Sequence, residues 1–167
     1  VSWIAEVPLE ERFALLMQSN FTQLGIKSHI KKLPWALFAE QVSKPENTPH
    51  ISQLFVNAVT GDPDTLLYGM YHSSTPGTWQ SPEYLSDAEV DAHLEAGRTG
   101  ANDAARETAY ASLNARLMAI APTIYGFDRQ SVFAASNRVS VPALSDPSMA
   151  FGLDGMGFSF RLMEMVE

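Results

Sequence analysis

The chain has 167 residues, about one domain at the usual size of roughly 150. Hydrophobic residues make up 46% of it, a globular composition that excludes disorder of the chain as a whole. Nineteen acidic against eleven basic residues give a net charge of −8, so a phosphate backbone is repelled; the lack of cysteine excludes disulfide frameworks, thiolate metal sites and cysteine nucleophiles.

The chain opens on Val1 and enters the strand-like Ser2-Trp3-Ile4-Ala5 directly, which reads as a cut inside a larger protein. Every apolar stretch is broken by charged or amide residues well short of the roughly 20 that a membrane span needs, and no secretory signal pattern is visible. Leu9, Phe13, Leu16, Met17, Phe21 and Leu24 recur at helical steps, with Pro8 at the entry, Glu10 and Glu11 at the positive end and Gly25 as the stop. Ile26 to Lys32 reads as a strand, and Trp35 to Val42 as a short helix burying Leu37, Phe38 and Val42. The polar stretch Ser43 to His50 is a loop.

Ile51 to Val59 is the most strand-like segment, an apolar run expected to be a central strand buried on both faces. It breaks at Thr60-Gly61-Asp62-Pro63-Asp64, after which Asp64 is expected to cap a short helix, Thr65 to Tyr71. A loop from His72 to Pro82 carries Trp79, and Ser86 with Glu89 has the form of a capping box for a helix from about Asp87 to Ala96. Asn102 caps the next helix, whose buried stripe is Ala105, Ala109, Tyr110, Leu113, Leu117 and Ile120, and Pro122 ends it. Thr123 to Phe127, Ser131 to Ala135 and Gly157 to Met163 read as further strands. Alternating strands and helices in the first half argue for an α/β layer with a partly parallel sheet.

No constellation of catalytic type stands out. His29, His50, His72 and His93 lie on separate elements without metal-ligand spacing, so no metal or other cofactor is expected. Asp62 and Asp64 flank a proline, an arrangement more often a turn and a cap than an acid–base pair. Gly152, Gly155 and Gly157 are not followed by a helix that could meet a phosphate, and no strained serine elbow occurs. Trp79, in a polar loop without periodicity, and Trp35, with one side toward the core, are the aromatic candidates for a ligand platform.

Several stretches together resemble the solute-binding proteins of bacterial ABC importers, in the peptide/nickel-binding family 5 group. They are Glu11 to Gln18 running into Leu24-Gly25-Ile26-Lys27, then Leu33-Pro34-Trp35 with Phe38 and Gln41, then Asp62-Pro63-Asp64 after an apolar segment. Tyr84, Asp87-Ala88-Glu89-Val90-Asp91 and Leu94 follow, and then Arg106, Tyr110 and Ala121-Pro122. The resemblance covers roughly residues 1–165 and thins after Asn137.

It implies a non-catalytic α/β lobe of the periplasmic-binding-protein type (type II, cluster C), a mixed sheet flanked by helices, with residues 1–167 forming one lobe of a two-lobed protein. Residues after about 137 would return toward the other lobe. It also implies a peptide or other small-molecule ligand held between lobes, permease subunits in the membrane as partners, a monomer, and a periplasmic or lipid-tethered extracytoplasmic location. Asn57, Ala58, Val59, Glu6 and Trp79, with Trp35 beside them, would face the cleft. Dipeptide binders of this family place an aspartate near the position of Val59 and an arginine in the loop that here reads Glu6-Val7-Pro8, so free dipeptides are not the expected ligand. Two other readings stand beside this one: a sensor or chaperone-like module on the same scaffold, and an α/β enzyme using Asp62 or Asp64 as a general base.

Overall fold

β1 (Ser2–Ile4) and β2 (Lys31–Leu33) pair in parallel, Ser2 opposite Lys31 and Ile4 opposite Leu33. They open a computed structural model that describes residues 1–57, 61–128, 134–142 and 163–165. A third run joins this ladder on the other side of β1 through a single parallel bridge, Ser2 to Ser52. Its two hydrogen bonds are Ser2 N to Ile51 O at 2.8 Å and Gln53 N to Ser2 O at 3.1 Å. The expected central strand over Ile51 to Val59 is therefore reduced to that bridge: 53–57 has no regular pairing, and Leu54, Phe55 and Val56 are half-buried. An apolar run makes a strand only where a neighbouring backbone answers its amides, and beyond Gln53 no strand among the described residues pairs with it.

Between β1 and β2 runs α1 (Leu9–Gln23). Its stop is the one expected: Gly25 takes a left-handed φ of +75°, and the next amide, Ile26 N, reaches back to Phe21 O at 2.8 Å. Its buried side differs. Glu10, Ala14 and Met17 are buried and Phe13 and Phe21 half-buried, whereas Leu9, Leu16 and Leu24 are exposed, so the inward stripe is rotated from the one expected. The strand expected over Ile26 to Lys32 shrinks to β2 and shifts toward Leu33. α2 has the expected bounds (Trp35–Val42); Phe38 and Val42 are fully buried, while Leu37 is exposed. With Ile4 and Leu33 these two form one apolar core.

α3 (Asp64–Tyr71), α4 (Ala88–Thr99) and α5 (Asp103–Ile120) form the second core, built on Tyr71, Val90, Leu94, Tyr110, Leu113 and Leu117. Asp64 is the first residue of α3 rather than its cap; Asp62 Oδ1 accepts the Asp64 N–H at 2.9 Å. At α4 the cap is Asp87 and not Ser86, its Oδ1 accepting from Glu89 N at 3.1 Å and Val90 N at 3.0 Å. The same carboxylate takes a 2.6 Å bond from Arg116 Nη2 on α5, which holds its pKa down at about 2, the arginine bond outweighing the amide bonds. Asn102 caps α5 as expected, accepting from Ala105 N at 2.9 Å, although Ala105 itself is exposed. Ala121 ends that helix in a left-handed conformation, φ 46°, immediately before Pro122.

The segment Thr123 to Phe127 is irregular rather than a strand, because among the described residues no strand pairs with it. Part of the run from Ser131 and most of that from Gly157 lie outside the described residues. The remaining regular pairing is β3 (Val139–Ser140) antiparallel to β4 (Glu164–Met165). Helix dominates the described residues, so the expected flanked mixed sheet is represented by short ladders.

Where α4 crosses α5, a Cβ on Gly97 would stand 2.7 Å from Tyr110 Cζ and 2.8 Å from its Cε1. Alanine is better than glycine inside a helix by about 1 kcal/mol, but overpacking a ring in a filled core costs about 1–3 kcal/mol. Gly97→Ala should therefore lower stability by up to about 2 kcal/mol in urea unfolding, the reverse of its helix propensity.

Candidate functional site

Both parallel strands end at the same edge of their sheet, and in parallel sheets the space outside the carboxyl ends is where ligands are held. Glu6 follows β1 and Trp35 opens α2 directly after β2, so the topology brings them together. The Glu6 carboxylate accepts the Trp35 N–H at 3.0 and 3.2 Å and thereby caps α2 from a distant loop. The Trp35 ring meets Trp79 edge to face at 5.3 Å between centroids and tilts over Phe38 at 5.9 Å. Trp35 and Trp79 are 39% and 38% exposed, which leaves part of each ring open to a ligand.

A cavity of about 950 Å³ is bounded by α1, residues 49–57, α3, residues 80–83 and residues 121–128, and Glu6, Trp35 and Trp79 are not among the residues that line it. Ligand pockets run from roughly 300 to 1,000 Å³, so it has room for a solute. One part of its wall is aromatic: Phe127 packs edge-on against Phe13 at 5.9 Å and Phe55 at 5.6 Å. Another is polar, where Tyr71 Oη shares hydrogen bonds with Thr123 Oγ1 at 3.2 Å and Tyr125 Oη at 3.1 Å. Burial first, then Tyr125 and the nearby Glu83, push the Tyr71 phenol up, and the bond to Thr123 opposes them.

Two carboxyl groups in that wall are perturbed. Glu10, 3% exposed, accepts from Ile4 N at 2.7 Å and from the Phe55 amide, yet burial outweighs both bonds and its pKa is raised. Glu83 is pushed up to about 7 by burial, with a bond from its own amide opposing. Its Oε1 and the Nε2 of Gln53, a side chain in the same wall, have no hydrogen-bond partner among the described residues.

Of the residues expected at a site, Glu6, Trp35 and Trp79 form one cluster. Asn57 is exposed and lines the cavity instead, and Ala58 and Val59 lie outside the described residues. Asp62 and Asp64 are held in ion pairs, Asp62 with Arg106 at 2.6 Å and Asp64 with Arg98 at 3.0 Å. The bond from the Asp64 amide, more than the arginine, lowers the Asp62 pKa, which weakens it as a base. His72 stacks on Tyr68 at 4.2 Å, its Nε2 3.4 Å from Glu95; His93 faces Glu89, and His50 lines the cavity. Sequence reasoning passed over Glu10, Gln53 and Glu83. Glu10 carries the signature of an ordinary first-turn acid, and Glu83 sits in a proline-flanked loop whose burial no periodicity reveals.

The fold, mixed in secondary structure and mostly helical among the described residues, is shared with part of one solved structure. No protein-family model matches the chain, and no curated protein matches it. Among solved structures it is similar to NikZ from Campylobacter jejuni, crystallised in complex with Ni(L-His), with a TM-score of 0.62 and 24% identity. The likeness covers 72% of this chain and 24% of that one, so the matched part is about a quarter of the length of NikZ.

Proposed function

We propose that this chain is part of one lobe of an extracytoplasmic solute-binding protein of family 5, serving an ABC importer. It captures a peptide-like or other small solute between two lobes and presents the closed form to a membrane permease, making and breaking no bond. The observation that supports this best is the convergence of Glu6, Trp35 and Trp79 at the carboxyl edge of the parallel strands, in a chain that also holds a solute-sized cavity. A hinge protein of this kind works because ligand binds the closed state better than the open one. No helix among the described residues is long and apolar enough to cross a membrane.

The test is native purification of the intact protein, mass spectrometry of any co-purifying small molecule, and small-angle scattering with and without it. A retained solute and a smaller radius of gyration in its presence are expected. A protein that neither retains nor closes on any solute overturns the reading. Leu15 and Leu16, exposed along α1, favour a second reading as an interaction or chaperone-like module. Suppression of aggregation of an unfolded client, without solute capture, would point there.

A further inference from the structure

We propose that the cavity takes a small cationic solute, an ammonium on an apolar body, with the cation at Glu83 and the body against Phe13, Phe55 and Phe127. The inference rests on the solute-binding reading and names the class of solute. Charge is its first ground. Glu10, Glu83 and Asp128 line the cavity, while no lysine or arginine does among the described residues, leaving His50 as the sole basic side chain there. A carboxylate or phosphate brought into such a wall meets like charge and no partner, whereas an ammonium meets opposite charge.

Hydrogen bonding is the second ground. The Glu10 carboxylate already serves the Ile4 and Phe55 amides and Asp128 is exposed to water, so Glu83 is the partly buried carboxyl left for a ligand. Glu83 Oε1 is shut from water and has no donor among the described residues. Gln53, only 8% exposed, holds its Nε2 in the same wall without an acceptor. Orphaned buried groups are rare in native proteins and mark places where a partner is missing. A turn of the Glu83 side chain into the cavity gives Oε1 its donor once an ammonium is present. The Tyr71 and Tyr125 oxygens offer that ammonium further acceptors, and a hydroxyl or amide on the solute satisfies Gln53. The Phe13, Phe55 and Phe127 rings suit an aryl or alkyl body, and their faces attract rather than repel a cation.

Three probes of nearly one shape and different charge test this by calorimetric titration of the intact protein at pH 8: 2-phenylethylammonium, 2-phenylethanol and 3-phenylpropionate. The ammonium should bind at least about tenfold more tightly than either of the others. Glu83→Gln should cut that preference to less than about threefold, chiefly by weakening the ammonium, and should raise the melting temperature at pH 8 because it removes a buried charge. Should that variant fail to fold, Phe127→Leu, at a half-exposed ring, should weaken the ammonium by about threefold. Equal or tighter binding of the carboxylate, indifference to both substitutions, or no binding of any probe overturns the proposal. Solute capture is judged apart: an anionic solute retained on native purification sinks the cationic class and leaves capture standing. A protein that retains nothing and closes on nothing loses both.

Discussion

Glu10→Ala should destabilise the protein by about 3 kcal/mol, far more than an acid in the first turn of a helix ordinarily commands. A surface glutamate there contributes about 0.3–1 kcal/mol through the helix dipole. Glu10 instead lies under the sheet, where its carboxylate accepts from Ile4 N at the end of β1 and from the Phe55 amide in the neighbouring run. Alanine leaves two buried amides without an acceptor, each at about 1–3 kcal/mol, and removes the group joining α1, β1 and residues 51–57. Glu10→Gln keeps one acceptor oxygen and sheds the buried charge, so its loss should be about 1 kcal/mol. Urea unfolding of the two variants against the parent measures both. An alanine variant within about 0.5 kcal/mol of the parent would show that water replaces the carboxylate, and that Glu10 is peripheral.

The second large effect is a dependence of stability on pH that falls where most carboxylates are silent. Burial pushes Glu83 up to about 7 from an ordinary value of 4.5. In the window between those values the folded chain keeps a proton that the unfolded chain has released. Stability from this group is complete below the unfolded value and is lost as pH rises through about 7. Discounted for the partial screening of a half-buried group, the loss between pH 5 and 8 is on the order of 2 kcal/mol. Asp87 acts in the opposite sense and in another window. Its pKa is lowered to about 2, so its contribution is present above the ordinary carboxylate range and disappears only in acid. Denaturation midpoints at pH 5, 6.5 and 8 should therefore fall steadily for the parent and much less for Glu83→Gln, which keeps only the smaller contribution of Glu10 in the same sense. A parent curve as flat as that of the variant would mean that Glu83 is hydrated and ionised throughout.

Much of the helical structure was legible because its signals are local. The bounds of α2 follow from Pro34 and a short apolar repeat; α1 ends where Gly25 can turn left-handed, and α5 begins where Asn102 can cap. The misreadings share a different cause. Ser86 and Asp87 are equally good caps by type, and the choice between them is made by Arg116, on the next helix. The apolar run from Ile51 is strand-like in itself, yet pairing depends on what backbone lies beside it, and that is a property of the whole chain. The rotated stripe of α1 has the same origin, since Glu10 takes an inward position no hydropathy pattern would give it.

At the site, residue type and position drew attention to Trp35 and Trp79 and the resemblance to Glu6, and the parallel ladder explains why Glu6 and Trp35 meet though far apart in sequence. The resemblance could not supply the cap that Glu6 provides to α2. Nor could it reveal the buried carboxyl of Glu83, whose environment is assembled from α3, the loop before α4 and the segment after α5.

The two apolar cores have no buried residue in common, and a hydrogen bond from Tyr84 Oη to Val42 O at 2.8 Å is among the ties between their halves. Cooperativity in unfolding comes from shared interior, and here little is shared. The helical half can therefore open or melt without dragging the sheet half with it, and damage to Leu113 adds to damage at Ile4 instead of compounding it. A chain assembled this way tolerates injury one half at a time.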